Sequence, residues 1–517
     1  MRTFTSVGQT SPSPGLLGIV LMVVVFLMFA ALSGAIVALG SKVLILPVLA
    51  VMGLAVVLAI PVTWTLWLMF VALFVILGPV VYFTRYTQLQ WLPPLMGAVF
   101  MAHILFQALR GKFHGQAGRI PGFVVILMLF LVLAGFSTLI DKPDFSEMLN
   151  ASRFYLFMWP VMLVIMNGMV KPATVEQLWR ALLLIALLQV PFAAYQYFFV
   201  ALKSSRLSPW DAVVGTFPGN IEGGGQSAAM GMLLLIVMLT AIALWRAKRL
   251  RGAWAGLIVL SGIGVLALAE VKAVVLMLPV AIALYYRREL MRRPVESLMS
   301  MLAAGALVAA LFVGYEHFHY EDAAHDLTNP NLPTSTYERI VRAINPESSS
   351  EVEHQLGRIT HLVYWWDINV AAGDLQHSLF GFGAGATQTS NLGVGEIARR
   401  FPYAMDVSST TILLWETGLL GHAAFLFLLL SGAWLSGRVA RDESIPESHR
   451  LFLRVGAIGL FLLAVTLPYK DYALRSMPIQ FLLMLMLGQA GYWYRKLATQ
   501  AGPMIKPGNP GYLLPHN

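Results

Sequence analysis

The chain has 517 residues, 58% of them hydrophobic and 12% charged, with no cysteine and a formal net charge of +9. Soluble globular domains carry about a quarter charged residues, so a soluble enzyme or scaffold is excluded and the chain belongs in a membrane. The lack of cysteine rules out disulfides and thiolate metal sites.

Apolar runs at 17–39, 123–140, 230–245 and 298–313 are near the length a helix needs to cross a bilayer and do not alternate as barrel strands do. The first follows a single basic residue, Arg2, and a Ser/Pro-rich lead, and it continues without a small-x-small cleavage site. It reads as a retained span rather than a signal peptide. The expected spans are 16–39, 43–60, 62–83, 90–109, 121–140, 154–170, 178–201, 227–245, 253–269, 272–286, 297–315, 409–434, 451–468 and 476–494. Merging a pair across a short turn at 40–42, 61 or 270–271 would reduce these fourteen to twelve. An N-terminus inside the cell collects Arg110, Lys112, Arg119, the basic groups at 246–251 and 287–293, Arg438, Arg441, Arg495 and Lys496 on one side, as the positive-inside rule requires.

The polar stretch 316–408 then lies outside. It holds twelve Asp/Glu against five Lys/Arg, a local charge of −7 that leaves +16 on the remainder. The basic balance therefore reports loop anchoring and not nucleic-acid binding. The expected fold is an all-α polytopic membrane protein with about 12–14 transmembrane helices and one large, mainly helical outer loop. Helices 1–11 occupy 1–315, the loop 316–408, helices 12–14 residues 409–496, and a disordered cytoplasmic tail 497–517.

The spans are too apolar to carry much chemistry, so reactive groups are expected where the loop meets the bilayer. Ser350-x-x-Glu353 has the form of a capping box opening a helix that runs to about Ala371. Along it Leu356, Ile359, Val363 and Trp366 share one face, and His354, Arg358, His361 and Trp365 share another. An ordinary amphipathic helix with a solvated polar face explains this pattern. Beside a bilayer, Arg358 is equally suited to a pyrophosphate and Trp365 to stacking on a sugar. Gly381-Phe382-Gly383-Ala384-Gly385 permits positive φ and close backbone approach to a ligand. It lacks the preceding strand and the Lys-Ser/Thr of a Walker loop, so a tight turn accounts for it as well.

Asp406 stands just before the helix start at 408–411, where capping alone would hold a carboxylate. Glu416 lies about one and a half turns into a span, costs about 3 kcal/mol at the bilayer centre, and calls for a partner or a water-filled cavity. Glu270-Val271-Lys272 reads as an outer turn with Lys272 directed at the cavity and Glu270 as its partner. Arg153, at the outer start of a span, and Lys203 with Arg206 are further outer cations that snorkelling explains without a function. Residues 214–225 are too rich in Gly and Pro for a helix and form an ordered outer loop or a re-entrant lip. Six of the eleven histidines lie in 316–408, but no helical His/Glu ligand motif appears and no metal is expected.

Many spans, a large outer loop, an Arg followed by Trp, a Gly-x-Gly-x-Gly turn and a polar residue before a Leu-x-Glu-x-Gly-Leu-like span together resemble the O-antigen ligase and O-antigen polymerase superfamily. The likeness is strongest over 354–425 and looser at Gln189-x-x-Phe192-x-x-Tyr195-Gln196, 214–225 and 270–272. It implies a bacterial inner-membrane protein with both termini cytoplasmic and the large loop periplasmic. It further implies a metal-independent inverting glycosyltransferase, without cofactor, that draws a glycan from undecaprenyl pyrophosphate. By motif, pyrophosphate binding falls to Arg358, Lys272 and Arg153, glycan binding to His354, His361, Trp365 and Gly383, and catalysis to Asp406 and Glu416. Asp406 stands where ligases of the family carry a His, which turns the resemblance toward a repeat-unit polymerase for O-antigen or exopolysaccharide. The implied partners are the lipid-linked oligosaccharide, the bilayer, a chain-length regulator and other polysaccharide-assembly proteins. A ligase that passes a finished glycan to lipid A core or to a protein is the nearest alternative. A lipid-linked glycan transporter or flippase is a further one, weakened by the lack of repeated halves.

Overall fold

A computed structural model of the chain describes residues 60–111, 120–141, 144–204, 209–222, 224–292, 349–350, 355–390 and 393–500, with scattered residues between 295 and 314. The expected span 16–39, all but the last residue of 43–60, most of 297–315, the loop residues 316–348, Arg206 and the tail beyond 500 lie outside the described residues.

The bundle is built from α1 (Val62–Thr84), α2 (Thr87–Leu109), α3 (Gly122–Asp141), α4 (Phe145–Met166), α5 (Pro172–Phe199), α6 (Ser227–Arg246), α7 (Gly252–Leu268) and α8 (Lys272–Arg292). The loop region contributes β1 (Ser349–Ser350), β2 (Gln355–Leu356), α9 (Arg358–Trp365), α10 (Leu375–Phe380), β3 (Thr389–Ser390), β4 (Gly393–Val394) and α11 (Glu396–Arg400). The chain returns through α12 (Ser409–Val439), α13 (Glu447–Val465), the single turn α14 (Tyr472–Arg475) and α15 (Met477–Gln500). Among the described residues eight helices are long and apolar enough to cross a membrane. The protein is a multi-pass, all-α membrane protein.

Burial orders the helices. The apolar window of α6 is 94% buried and that of α2 only 28%, so α6 is the central post and α2 faces outward. α12 packs against α13 and α3, and α15 against α4. Exposed Leu95, Leu105 and Leu109 on α2 are what a lipid-facing surface requires.

Backbone at membrane depth must be satisfied within the protein, and 214–217 shows how. Gln196 on α5 accepts from the amides of Val214 (2.9 Å) and Gly215 (2.7 Å) and donates to Gly215 O at 2.9 Å. Two turns earlier, Gln189 accepts from Thr216 N at 2.7 Å and donates to Thr216 Oγ1 at 2.8 Å. That hydroxyl donates in turn to Phe74 O, inside a π-helical turn of α1, at 2.7 Å. A Cβ on Gly78 would lie 1.9 Å from Thr216 O, so α1 and this loop touch backbone to backbone. Residues 214–218 are thus the part of an ordered loop that packs in the bundle. The turn at 270–271 also forms, with Glu270 in the left-handed region at φ 51°.

Three expectations are corrected. The capping box at Ser350 and Glu353 does not open a helix: Ser349 and Ser350 pair antiparallel with Leu356 and Gln355, and α9 begins at Arg358 after Gly357. The faces of that helix are inverted as well. His361 and Trp365 are buried, while Ile359, Val363 and Trp366 are exposed, because the polar face has groups to meet inside the protein. Finally, Arg153 is not at the start of a span. Residues 145–155 are already helical, which places Arg153 within α4.

Candidate active site at a broken helix

Gly418 interrupts α12 with φ 66° and ψ −170°, a conformation open essentially to glycine alone. Residues 409–417 therefore form a short arm, and a fresh helix begins beyond the break. Such a break strands the last carbonyls of the arm, and those of Leu414, Trp415 and Glu416 are met from outside. Trp365 Nε1 donates to Leu414 O (3.1 Å), Phe382 N to Trp415 O (2.7 Å), Gly383 N to Glu416 O (3.1 Å) and Ser137 Oγ to Glu416 O (2.7 Å). Gly381, Gly383 and Gly385 all have positive φ. A Cβ on Gly381 would lie 2.6 Å from Glu416 C, and one on Gly418 2.3 Å from Leu379 O. The glycine turn is a clasp that closes on the broken helix.

At its other end the arm is capped by Ser408, whose hydroxyl accepts from Thr411 N at 3.1 Å. Ser409 N and Oγ both donate to Lys470 O, and Thr410 N donates to Leu467 O. The first amides of the arm are consumed within the protein. Asp406 is consequently not a cap, and its carboxylate is free for another task.

That task is defined by Arg475, at the end of α14. Arg475 Nη1 forms a very close ion pair with Asp406 Oδ2, and Nη2 donates to Thr387 Oγ1 at 3.0 Å and lies 3.8 Å from Glu416 Oε1. Glu416, wholly buried, accepts from Thr387 Oγ1 at 2.6 Å, Thr387 N at 3.3 Å and Tyr155 Oη at 2.9 Å. Burial works against the charge on Arg475, but Asp406, Glu416 and Asp471 outweigh it and hold the guanidinium more firmly protonated than usual. Asp471 is itself pushed up by burial, despite Lys470 and Arg475 beside it. Side-chain exposure separates the two catalytic candidates: Asp406 keeps 25%, Glu416 none. Only Asp406 can be reached by a substrate.

Two further cations border this group. Arg153 lies within the electrostatic field of Arg475, sits against the rings of Phe154 (4.4 Å) and Trp91 (5.6 Å), and has a buried Nε with no hydrogen-bond partner among the described residues. Arg358 stacks on Tyr469 at 4.1 Å, one residue from Lys470. His361 is fully buried near Asp406, with neither ring nitrogen hydrogen-bonded among the described residues. Burial pushes its imidazole down to about 4, so the ring is neutral at physiological pH. Orphaned buried polar atoms are costly, and Arg153 and His361 each carry them beside a charged member of this group.

Of the residues singled out in the sequence, Arg358, His361, Asp406, Glu416 and Arg153 come together. Lys272 forms an ion pair with Glu270 at 3.0 Å. It sits at the same end of the bundle as Arg475, because Gln226 before α6 accepts from Ser476 Oγ at 2.6 Å and Val271 lies beside Gly231 of α6. His354 lies outside the described residues. Two assignments are corrected. Trp365 does not stack on a sugar: its ring is buried among Phe382, Leu414 and Trp415, and its N–H serves the broken helix. Gly383 does not present its amide to a glycan, since Glu416 O and Ser137 Oγ hold it.

Arg475, Thr387, Tyr155 and Ser137 were missed. The signal for Arg475 was present, since the expected spans 451–468 and 476–494 leave Lys470, Asp471 and Arg475 in one short outer connection. No protein-family model matches this chain, and no curated protein matches it significantly.

Proposed function

We propose that the chain is a membrane glycosyltransferase that polymerises undecaprenyl-pyrophosphate-linked oligosaccharide repeats into O-antigen or exopolysaccharide on the outer face of the bacterial inner membrane. The observation that carries this reading is a reachable carboxylate, Asp406, paired with Arg475 beside a helix break, with Arg153 feeling the charge of Arg475 and Arg358 stacked on Tyr469 in the same connection that carries Arg475. Guanidinium is the side chain best matched to pyrophosphate. Fixed cations stabilise the charge that develops on a leaving pyrophosphate, usually the largest catalytic contribution.

The step balances without a metal. An acceptor hydroxyl attacks the anomeric carbon, and its proton passes to Asp406 as the new C–O bond forms with inversion. The old bond to the pyrophosphate oxygen breaks, and the electron pair leaves on the lipid diphosphate. Arg475 holds the Asp406 carboxylate in place through their ion pair. Glu416 is a positioning residue: with Tyr155 and Thr387 it fixes Arg475 from behind. His361, neutral and fully buried, is out of reach of a sugar and acts as a positioning neighbour of Asp406.

The test is turnover of purified protein with lipid-pyrophosphate-linked repeat units taken from the source cell, products resolved by length. Wild type should give a ladder, and Arg358→Ala should abolish long products while its membrane abundance stays unchanged. A ladder of normal length in that variant removes pyrophosphate binding from Arg358, and a single transferred unit in the wild type assigns the protein as a ligase instead.

A further inference from the structure

A cavity of about 930 Å³ opens at the opposite end of the bundle from Arg475. It lies between the last turns of α6 and α8, the far end of α12 and the Glu447–Phe461 stretch of α13, on the order of 25 Å along α12 from Glu416. Six arginines line it: Arg246, Arg287, Arg292, Arg438, Arg441 and Arg454. Only two glutamates, Glu289 and Glu447, answer them. Glu289 pairs with Arg246 at 3.5 Å, and Glu447 is engaged by Arg249 at 3.2 Å. Among the described residues the other five arginines of the lining have no ion-pair partner. All six are solvent-exposed, so together they form a positive rim that attracts anions rather than a buried charge that must be neutralised.

The remaining wall is apolar: Ala243, Leu284, Ala433, Ala457, Ile458 and Phe461. It runs out to Trp434 and Phe461, which are 63% and 37% exposed on the lipid-facing surface. A free phosphate needs the arginines but has no use for a hydrophobic wall that leads into the bilayer. Both halves suit one amphiphile.

We propose that this cavity binds the phosphate headgroup of an anionic lipid of the adjoining leaflet, with an acyl chain along the apolar wall. The arginines grip the phosphate oxygens, and Trp434 marks the interfacial depth at which the headgroup sits. Basic pockets between helices on the cytoplasmic side are suited to such headgroups. The site is separate from the Arg475 cluster and does not depend on how that cluster works.

The experiment measures binding of fluorescent phosphatidylglycerol and phosphatidylcholine to the full chain in zwitterionic detergent, with inorganic phosphate as competitor. Wild type should bind phosphatidylglycerol saturably and phosphatidylcholine at least about tenfold more weakly. Each arginine near an anionic lipid surface is worth roughly fivefold, so the Arg438→Gln, Arg454→Gln double variant should weaken phosphatidylglycerol roughly 25-fold. Glu289→Gln removes an opposing charge, releases Arg246 and should tighten binding. This variant leaves every arginine in place, so it tests the idea even where the double variant fails to fold. Equal binding of the two lipids, wild-type affinity in a folded double variant, or no tightening on Glu289→Gln overturns the proposal. Full competition by millimolar inorganic phosphate overturns the lipid and leaves a free-phosphate site.

Discussion

Replacing Gly418 by alanine tests the broken helix. The added Cβ would fall 2.3 Å from Leu379 C and O and 2.5 Å from Phe380 N, where real Cβ atoms keep beyond 3.0 Å. Because the obstacle is backbone, the segment before the glycine clasp has to withdraw by the better part of an ångström. That withdrawal strains the bonds from Phe382 N to Trp415 O and from Gly383 N to Glu416 O, each worth about 1 kcal/mol. Holding a non-glycine residue at φ 66°, ψ −170° adds about 1–3 kcal/mol. The sum, about 4 kcal/mol, should lower the melting midpoint of detergent-solubilised protein by roughly 5 °C or more, read by intrinsic fluorescence. Gly256→Ala is the control, since its Cβ would meet nothing within 4 Å, and it should melt near the wild type. A Gly418→Ala protein melting with that control would refute the description of α12 as two helices clasped by the loop.

Gln196→Leu removes the partner of two amides and a carbonyl in the 214–217 loop and should destabilise by about 3 kcal/mol, seen as reduced yield from membranes and a lower melting midpoint. His361→Leu exchanges an unpartnered buried imidazole for an apolar group, so it should raise the melting midpoint slightly while reducing turnover; a fall in both would make His361 structural. His377 joins α10 to the end of α3 through Asp374 (2.5 Å) and Asp141 (3.2 Å). Burial alone would lower its pKa, but the two carboxylates outweigh it and raise it above the ordinary value of 6.5. A raised folded pKa means that the latch contributes fully below pH 6.5 and is lost as pH rises through the raised value. Loop amide protection in 375–380 should therefore decline over that range in the wild type and be flat in His377→Gln, by hydrogen exchange.

The membrane class and most described spans were legible in the sequence, because a run of about twenty apolar residues has few other uses. Glu416 was legible for the converse reason, as a carboxylate in such a run demands a partner. The partner itself was not: Arg475 lies 59 positions away from it and is brought there only by the packing of α12 on α15. The capping-box pattern at Ser350 misled because the same residues also suit a hairpin, and pairing with 355–356 decided the outcome. The face of α9 was misjudged for a related reason. In water an apolar stripe turns inward, whereas beside lipid Ile359 and Val363 can face out and His361 can turn in. The glycine clasp was visible as glycines, but its target was hidden, since nothing local marks Gly418 as a break in an otherwise continuous helical pattern.

The most direct measurement compares Asp406→Asn with Glu416→Gln in the reconstituted reaction, following the rate of glycan transfer from the pyrophosphate lipid. Asparagine keeps a hydrogen-bond acceptor toward Arg475 but cannot take the hydroxyl proton, so Asp406→Asn should lose about 10²-fold or more in rate with its membrane abundance retained. Glu416→Gln, acting through Arg475, should lose less rate and lower the melting midpoint. A wild-type rate in a folded Asp406→Asn protein would contradict the assignment of Asp406 as the base and the account built on it.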